Sequence, residues 1–333
     1  MKVFTRDYRI TGDYPEKFSR YFEGMRSCVF DIESTGLDPS RSRVCMTALL
    51  VQTGSGIRIT QFLAENHYEE NRVLDATMDF IAREGIDYLI TFNGQAFDVP
   101  FMNRRLESSF SDDRMRMYDF DLYRFLRRGT DLRQRINSMS QMSLEDHYGI
   151  FCDRQDTITG RESVALFDEY SLTGNSTIEK IILTHNREDV LQLHRLMYLS
   201  LDEPEDFDSA IAIHGFPVLR GKYTARPFIR KAARTLRIAG EQIQCPVSAA
   251  FFPDIDSPLT AVFNAATASY EIDVPVGRLH DEFYVDLEPL GVDLCMDEDC
   301  VNRFLILNSR TINLISRIVL ERIDSRLFHT ADI

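Results

Sequence analysis

The chain has 333 residues, 44% of them hydrophobic and 27% charged, and a net charge of −14. This is the composition of a soluble globular protein with room for one large domain or two ordinary ones. It lacks the run of ~20 apolar residues that spans a membrane, and its negative charge excludes a general nucleic-acid coat protein, which displaces counterions with a basic surface.

Residues 1–27 mix aromatic and charged side chains and read as a lead-in to a sheet. Residues 1–8 carry charge where a signal peptide needs an apolar core, so the expected compartment is the cytoplasm. Residues 28–33 read as a short buried strand. Residues 46–51 and 57–62 read as two more, joined as an antiparallel hairpin around Gln52-Thr-Gly-Ser-Gly56. Helical spacing covers 69–83, with Val73, Leu74, Met78 and Ile81 on one side. Residues 88–92 suit a buried strand; the turn Asn93-Gly94 follows, and Phe97-Asp98 opens a helix. A strand at 117–120 and a helix at 122–128 come next. Residues 134–174 read as short helices and loops. Ser176-Thr-Ile-Glu179 reads as a capping box that starts a helix reaching about Ser200. This order predicts an α/β layer with a mixed sheet over residues 1–200.

The acidic stretch 202–208 breaks the pattern, and residues 201–208 read as a linker. Beyond it, 209–333 reads as a smaller β-rich accessory domain, with strand-like 235–238, 269–274 and 282–287 and a final helix over about 309–323. The six cysteines (Cys28, Cys45, Cys152, Cys245, Cys295, Cys300) are scattered without a C-x-x-C. They read as free, mostly buried thiols, with Cys295 and Cys300 as half a zinc site the alternative.

In a strand, alternate side chains share a face, so Asp31 and Glu33 project side by side. Buried carboxylates repel one another and are costly without a partner; a divalent cation would relieve both problems. Taken alone, Asp-x-Glu reads as an edge strand with a wet face, and Asp98, where a strand gives way to a helix, as a cap. His185 and Asp189 share one helix face, and such a histidine is commonly a core residue bonded to a neighbour such as Asp189. Together they make a different pattern: an acid pair leaving one strand, an acid after a second, and His-x-x-x-Asp on a later helix.

That pattern resembles the ribonuclease-H-like exonuclease superfamily named for its four acids, DEDD, over roughly residues 26–200. Asp31-Ile-Glu33 with Thr35-Gly36-Leu37 matches the first motif. Asn93-Gly-Gln-Ala-Phe-Asp98-Val-Pro100 matches the second, N-x-x-x-F-D-x-P, and His185-x-x-x-Asp189 the third. The chain looks most like the YprB-type predicted exonucleases in His185-Asn186-x-x-Asp189, in Asp121-Leu122 followed by Arg127-Arg128, and in Ser143-Leu144 with Gly149-Ile150. The two best-known subclasses carry His-x4-Asp or Tyr-x3-Asp in the third motif. His185 with the three-residue spacing departs from both, which leaves its role open.

The resemblance implies a ribonuclease-H-like mixed sheet flanked by helices and 3′–5′ exonuclease activity on single-stranded DNA or RNA. The catalytic residues would be Asp31, Glu33, Asp98, His185 and Asp189. The four acids would hold two Mg²⁺ or Mn²⁺ ions, which hard oxygen donors suit. Asp31 would bridge both ions, Glu33 and Asp189 would support the one holding the attacking water, and Asp98 would act on the other. His185 would take the proton of that water. Thr35, Asn93 and Phe97, beside the acids in the motifs, would contact the nucleic acid. The rival readings are a non-catalytic nucleic-acid-binding or scaffold protein retaining the fold, and a structure-specific endonuclease at the same site.

Two basic stretches could meet a substrate. Nine arginines and no lysine lie between Arg104 and Arg135, but six acids fall there too. Arg124, Arg127 and Arg128 would share a helix face, as a phosphate track or as part of a solvated mixed-charge face. No acid occurs from Ser209 to Gly240, where Arg230, Lys231 and Arg234 stand among other basic residues with Phe216, Tyr223 and Phe228 interleaved. Basic plus aromatic suits a single-strand groove; a basic face packed on the acidic first domain is the alternative.

Overall fold

The computed structural model describes residues 1–9, 14–109, 113–156, 158–254, 257–294 and 296–329. The chain divides into two compact units, one ending at Glu203 and one starting at Pro204. In the first, β1 (Lys2–Tyr8), β2 (Ser27–Ser34), β3 (Val44–Thr53), β4 (Gly56–Leu63), β5 (Tyr88–Thr91) and β6 (Tyr118–Asp121) form one sheet in the order β1-β4-β3-β2-β5-β6. β1 to β4 pair antiparallel, whereas β5 and β6 continue from β2 in parallel. The sheet is therefore mixed, as expected. Its helices are α1 (Glu16–Ser19), α2 (Glu70–Glu84), α3 (Asp98–Ser108), α4 (Leu122–Gly129), α5 (Leu132–Arg135), α6 (Gln141–His147), α7 (Gly160–Thr173) and α8 (Ser176–Ser200).

Strand register decides which side each helix covers. Asp31, Ala48 and Gln61 stand directly opposite one another on β2, β3 and β4, so they share a face. Gln61 Nε2 donates to Leu183 O and Asn186 Oδ1 of α8, both at 3.0 Å. The adjacent row, Ile32, Thr47 and Phe62, faces the other way, and Thr47 shares a 2.8 Å hydroxyl hydrogen bond with Thr77 of α2. With α8 on one face and α2 on the other, Val29 is as buried as Cys28 and Phe30. The register breaks at a bulge between Glu33 and Ser34, where β2 leaves the sheet. β2, β5 and β6 run parallel, so their carboxyl ends share one edge, the edge where open parallel sheets bind ligands.

Three local expectations change. Residues 1–27 contain β1, an edge strand of the sheet itself. Residues 134–174 contain α7, a helix of 14 residues, and the capping box belongs to it: Thr159 Oγ1 accepts from Glu162 N while Glu162 accepts from Thr159 N. α8 is capped instead by Asn175, whose Oδ1 accepts from Thr177 N at 2.8 Å, which places Ser176 inside the helix. Asn and Ser are comparable caps, and with the two adjacent in sequence the side chain that reaches the open N–H wins.

The second unit is β-rich. It holds α9 (Phe207–His214), β7 (Phe216–Val218), β8 (Tyr223–Arg230), β9 (Thr235–Glu241), β10 (Ala249–Phe251), β11 (Thr260–Asn264) and β12 (Ser269–Pro275). It continues with β13 (Gly277–Leu279), β14 (Glu282–Asp286), β15 (Cys300–Val301), β16 (Phe304–Ile306) and α10 (Ser309–His329). The strands form sheets ordered β10-β11-β12-β9-β8-β7 and β13-β14-β16-β15. Asp206, from the acidic stretch, caps α9 by accepting from Ser209 N at 3.0 Å. Cys28 and Cys45 are buried, but Cys152 and Cys245 are exposed and Cys300 half-buried, so among the described residues the thiols are not mostly buried. Cys295, half of the alternative zinc pair, lies outside the described residues. Among the described residues no helix is long and apolar enough to cross a membrane.

Candidate active site

β2 presents Asp31 and Glu33 on the face covered by α8. The turn after β5 delivers Asp98. Asn93 takes a left-handed backbone, φ 66°, and at Gly94 a Cβ would fall 2.3 Å from the Thr91 hydroxyl. Only glycine passes that close, so the chain turns tightly and α3 begins at Asp98. The Asp98 carboxylate, 5% exposed, accepts from Ile32 N at 3.1 Å, which ties α3 to β2 between the two acids of that strand. α8 contributes His185 and Asp189, one turn apart.

Asp31, Glu33, Phe97, His185 and Asp189 line one open cleft of about 870 Å³, walled in part by Leu37, Phe92, Met142, Ile158 and Val164. His185 Nε2 lies 3.5 Å from Glu33 Oε1 and 3.6 Å from Asp189 Oδ2. Its Nδ1 meets Asp156 Oδ2 at 2.6 Å, so the histidine's hydrogen-bond partner is Asp156 rather than Asp189. Asp31 Oδ2 accepts from Asn186 Nδ2 at 2.9 Å, and Gln61 orients that amide from the other side.

Burial and mutual repulsion raise these carboxyls. Asp31 is pushed well above the usual range by burial and then by Asp189, Asp98 and Glu33, with Asn186 opposing. Glu33 is raised to about 7 by burial, against the attraction of His185. Asp98 is raised to about 7 by burial, against its hydrogen bond from Ile32. Burial alone would lower His185, but the bond to Asp156 and the charges of Asp189 and Glu33 outweigh it and lift the imidazole to about 9.

The donors suit a divalent cation. Single ligand atoms of Glu33, His185 and Asp189 all lie within 4.8 Å of one another, and the acids are hard oxygen donors of the kind Mg²⁺ and Mn²⁺ take. Asp31 and Asp98 stand outside that group of three, each with one oxygen already engaged.

Residues to which the sequence assigned no role at the site support it. The buried Arg154 guanidinium donates to Glu145 Oε1 at 2.8 Å, to Asp156 Oδ1 at 2.5 Å and to Asp189 Oδ1. Gln141 Nε2 donates to Glu145 Oε1 at 3.0 Å and to Asp189 O at 2.9 Å. Asp121 braces the loop before α3, accepting from Asn93 N at 2.9 Å, Gln95 N at 3.3 Å and Arg124 N at 3.2 Å. Only Asp121 had a sequence signal, its position at the start of α4. Arg154 and Asp156 lie in an aperiodic stretch where nothing separates them from Asp146 or Asp153.

The residues expected to touch nucleic acid fall in different places. Phe97 lines the cleft. Thr35 Oγ1 accepts from Arg43 N at 3.0 Å, and Asn93 serves the turn; neither is a lining residue. Arg127 lies over the Tyr123 ring and donates to its hydroxyl at 3.1 Å; Arg127 and Arg128 are exposed and lie outside the cleft lining. In the second unit Arg230 is 3.6 Å from Asp273, and Lys231 and Arg234 are exposed between β8 and β9.

A family model described as the RNase H superfamily matches residues 28–200. Among solved structures, the chain is similar to the family B DNA polymerase from the hyperthermophilic archaeon Pyrobaculum calidifontis, at 15% identity and a TM-score of 0.41. The match covers 64% of this chain and 33% of that one, so the chain spans about a third of the polymerase's length. No curated protein sequence matches.

Proposed function

Because the chain belongs to the RNase H superfamily, we propose that the acid-lined cleft hydrolyses phosphodiester bonds as a metal-dependent 3′–5′ exonuclease on single-stranded DNA or RNA. The observation that carries this reading is the convergence of Asp31, Glu33, Asp98 and Asp189 from β2, α3 and α8, with Asp31, Glu33 and Asp98 raised by burial and carrying repulsion from the other acids. The direction of attack rests on the motif resemblance. Asp31, Glu33, Asp98 and Asp189 would hold two Mg²⁺ or Mn²⁺ ions. Bound there, such ions acidify water and neutralise charge on the phosphate and the leaving oxygen.

The chain's own groups then have distinct tasks. Asn186 fixes Asp31 so that one carboxylate oxygen stays turned toward the cleft. Glu33 and Asp189 flank His185 Nε2, the nitrogen that accepts the proton of the attacking water. Phe97, Phe92, Met142 and the exposed Leu37 offer an apolar wall for an unpaired base.

Incubating end-labelled single-stranded DNA and RNA with Mg²⁺ or Mn²⁺ tests the reading. A ladder shortening from the 3′ end, with a circular strand left intact, is the expected result. Cleavage of the circle would make the enzyme an endonuclease, and no cleavage with either ion would leave a binding protein.

A further inference from the structure

We propose that Asp156 is the positioning residue that aims His185 at the reacting water, and that Arg154 holds Asp156 in place; this rests on the nuclease reading above. The two imidazole nitrogens have separate neighbours. Nδ1 meets Asp156 Oδ2 at 2.6 Å, while Nε2 faces Glu33 and Asp189 at 3.5 and 3.6 Å. An ionised carboxylate only accepts hydrogen bonds, so the proton on that side belongs to Nδ1. In the neutral ring Nε2 therefore keeps its lone pair, and it is the nitrogen in the cleft. A general base needs that arrangement, and a third group fixing the base recurs wherever histidine does this work.

Asp156 is itself fixed. Arg154 holds both Asp156 oxygens, Nε donating to Oδ1 at 2.5 Å and Nη2 to Oδ2 at 3.4 Å, and the short 2.6 Å contact to Oδ2 is the histidine's. The two side chains are each 3% exposed, so water does not compete for either bond. Arg154 also reaches Glu145 and Asp189, which joins the histidine's anchor to the acid one turn along α8. Helix geometry alone would let either ring nitrogen face Asp189; the bond from Nδ1 to Asp156 leaves Nε2 on that side.

The test uses the full chain as wild type, Asp156→Ala, Asp156→Asn and, to assign the signal, His185→Ala. Three quantities are read: steady-state cleavage of a single-stranded oligonucleotide at saturating Mn²⁺, the imidazole proton and nitrogen spectrum of the metal-free protein, and the melting temperature. Wild type should show a far-downfield His185 Nδ1 proton, and both Asp156 variants should lose it. In Asp156→Asn the amide oxygen stays with Arg154, so the amide NH₂ faces Nδ1 and the ring proton moves to Nε2. Both variants should lower kcat by ~10–100-fold with KM little changed, the usual worth of a group that orients another. A fall in melting temperature with wild-type kcat would overturn the proposal, as would a wild-type spectrum without the Nδ1 proton. A wild-type chain that cleaves nothing would sink the nuclease reading instead, and the spectrum would still decide whether Asp156 sets the ring's proton.

Discussion

The two units treat their charges differently. In the second, Arg237 meets Asp273 at 2.8 and 2.7 Å through both sides of its guanidinium and Glu271 at 2.8 Å. Lys222 meets Asp324 at 2.5 Å, and Arg310 sits between Asp297 and Asp299. Basic residues that looked like a groove in the sequence are partly consumed by acids on neighbouring elements. At the cleft of the first unit, Glu33, Glu145, Asp156 and Asp189 surround Arg154 and His185, while Asp31, Glu33 and Asp98 are raised by burial and by repulsion from neighbouring acids. Charges paired in place hold a fold together. Buried like charges left in excess work against it, and they persist where a ligand needs them.

Removing the excess should give the largest effect. Asp31→Ala, Asp98→Ala and Asp189→Ala are each expected to lower hydrolysis by ~10³-fold or more, the scale for groups that act as a unit at a reacting centre. Thermal melting of the metal-free proteins should separate them. Asp31→Ala relieves repulsion and should melt at or above wild type, whereas Asp189→Ala strips Arg154 of a partner and should melt lower. Equal losses of stability at both positions would erase the distinction between paired and unpaired acids.

His185→Ala should retain metal binding while kcat falls by ~10²–10⁴-fold, toward the lower end because bound metal already acidifies water. A mutant that loses only metal affinity, with wild-type kcat at saturating ion, would reduce His185 to a packing role.

The same contrast sets the pH dependence of the metal-free chain. Glu33 and Asp98 titrate at about 7 in the fold, against ~4 in an unfolded chain. The folded state therefore binds more protons across that window, and stability falls as pH rises through it. His185 at about 9 acts in the same direction, since its stabilising charge is lost as pH passes from ~6.5 to that value. Melting temperature should decline from about pH 5 to pH 8 and be largely restored by Mn²⁺ at the upper end. A curve that is flat or rising without metal would mean the acids are not strained.

The smallest effect belongs to the second unit. Changing Arg230, Lys231 and Arg234 to Glu should weaken binding of long single strands and make its salt dependence shallower by roughly 2–3 in slope. Arg230 contributes least because Asp273 already faces it. Arg237→Ala should instead lower stability and leave binding unchanged. Filter binding across a salt series reads both, and equal slopes in triple mutant and wild type would give the segment a structural role only.

The sheet was legible in the sequence because alternation and turn residues act locally. The run after Asn93-Gly94 and the hairpin around Gly54 and Gly56 place β3 to β5 and α3 within a residue or two. The acids were legible only together: Asp31 and Glu33 alternate on one strand, Asp98 opens a helix after another, and His185 and Asp189 share a helix face, each ordinary alone. Arg154 and Asp156 were not, since their meaning comes from side chains 29 to 35 positions away that only the packed chain brings near. The choice of Asn175 over Ser176 as a cap was hidden for a related reason: both residues fit the rule, and backbone geometry decides.

The most direct test of the cleft as a metal centre is a calorimetric titration of the full chain with Mn²⁺, wild type beside Asp31→Asn. The account predicts two ions per wild-type chain, with binding sharply weakened in the variant, whose side chain has the same shape and no charge. Wild type that binds no Mn²⁺, or a variant that binds it as wild type does, would contradict it.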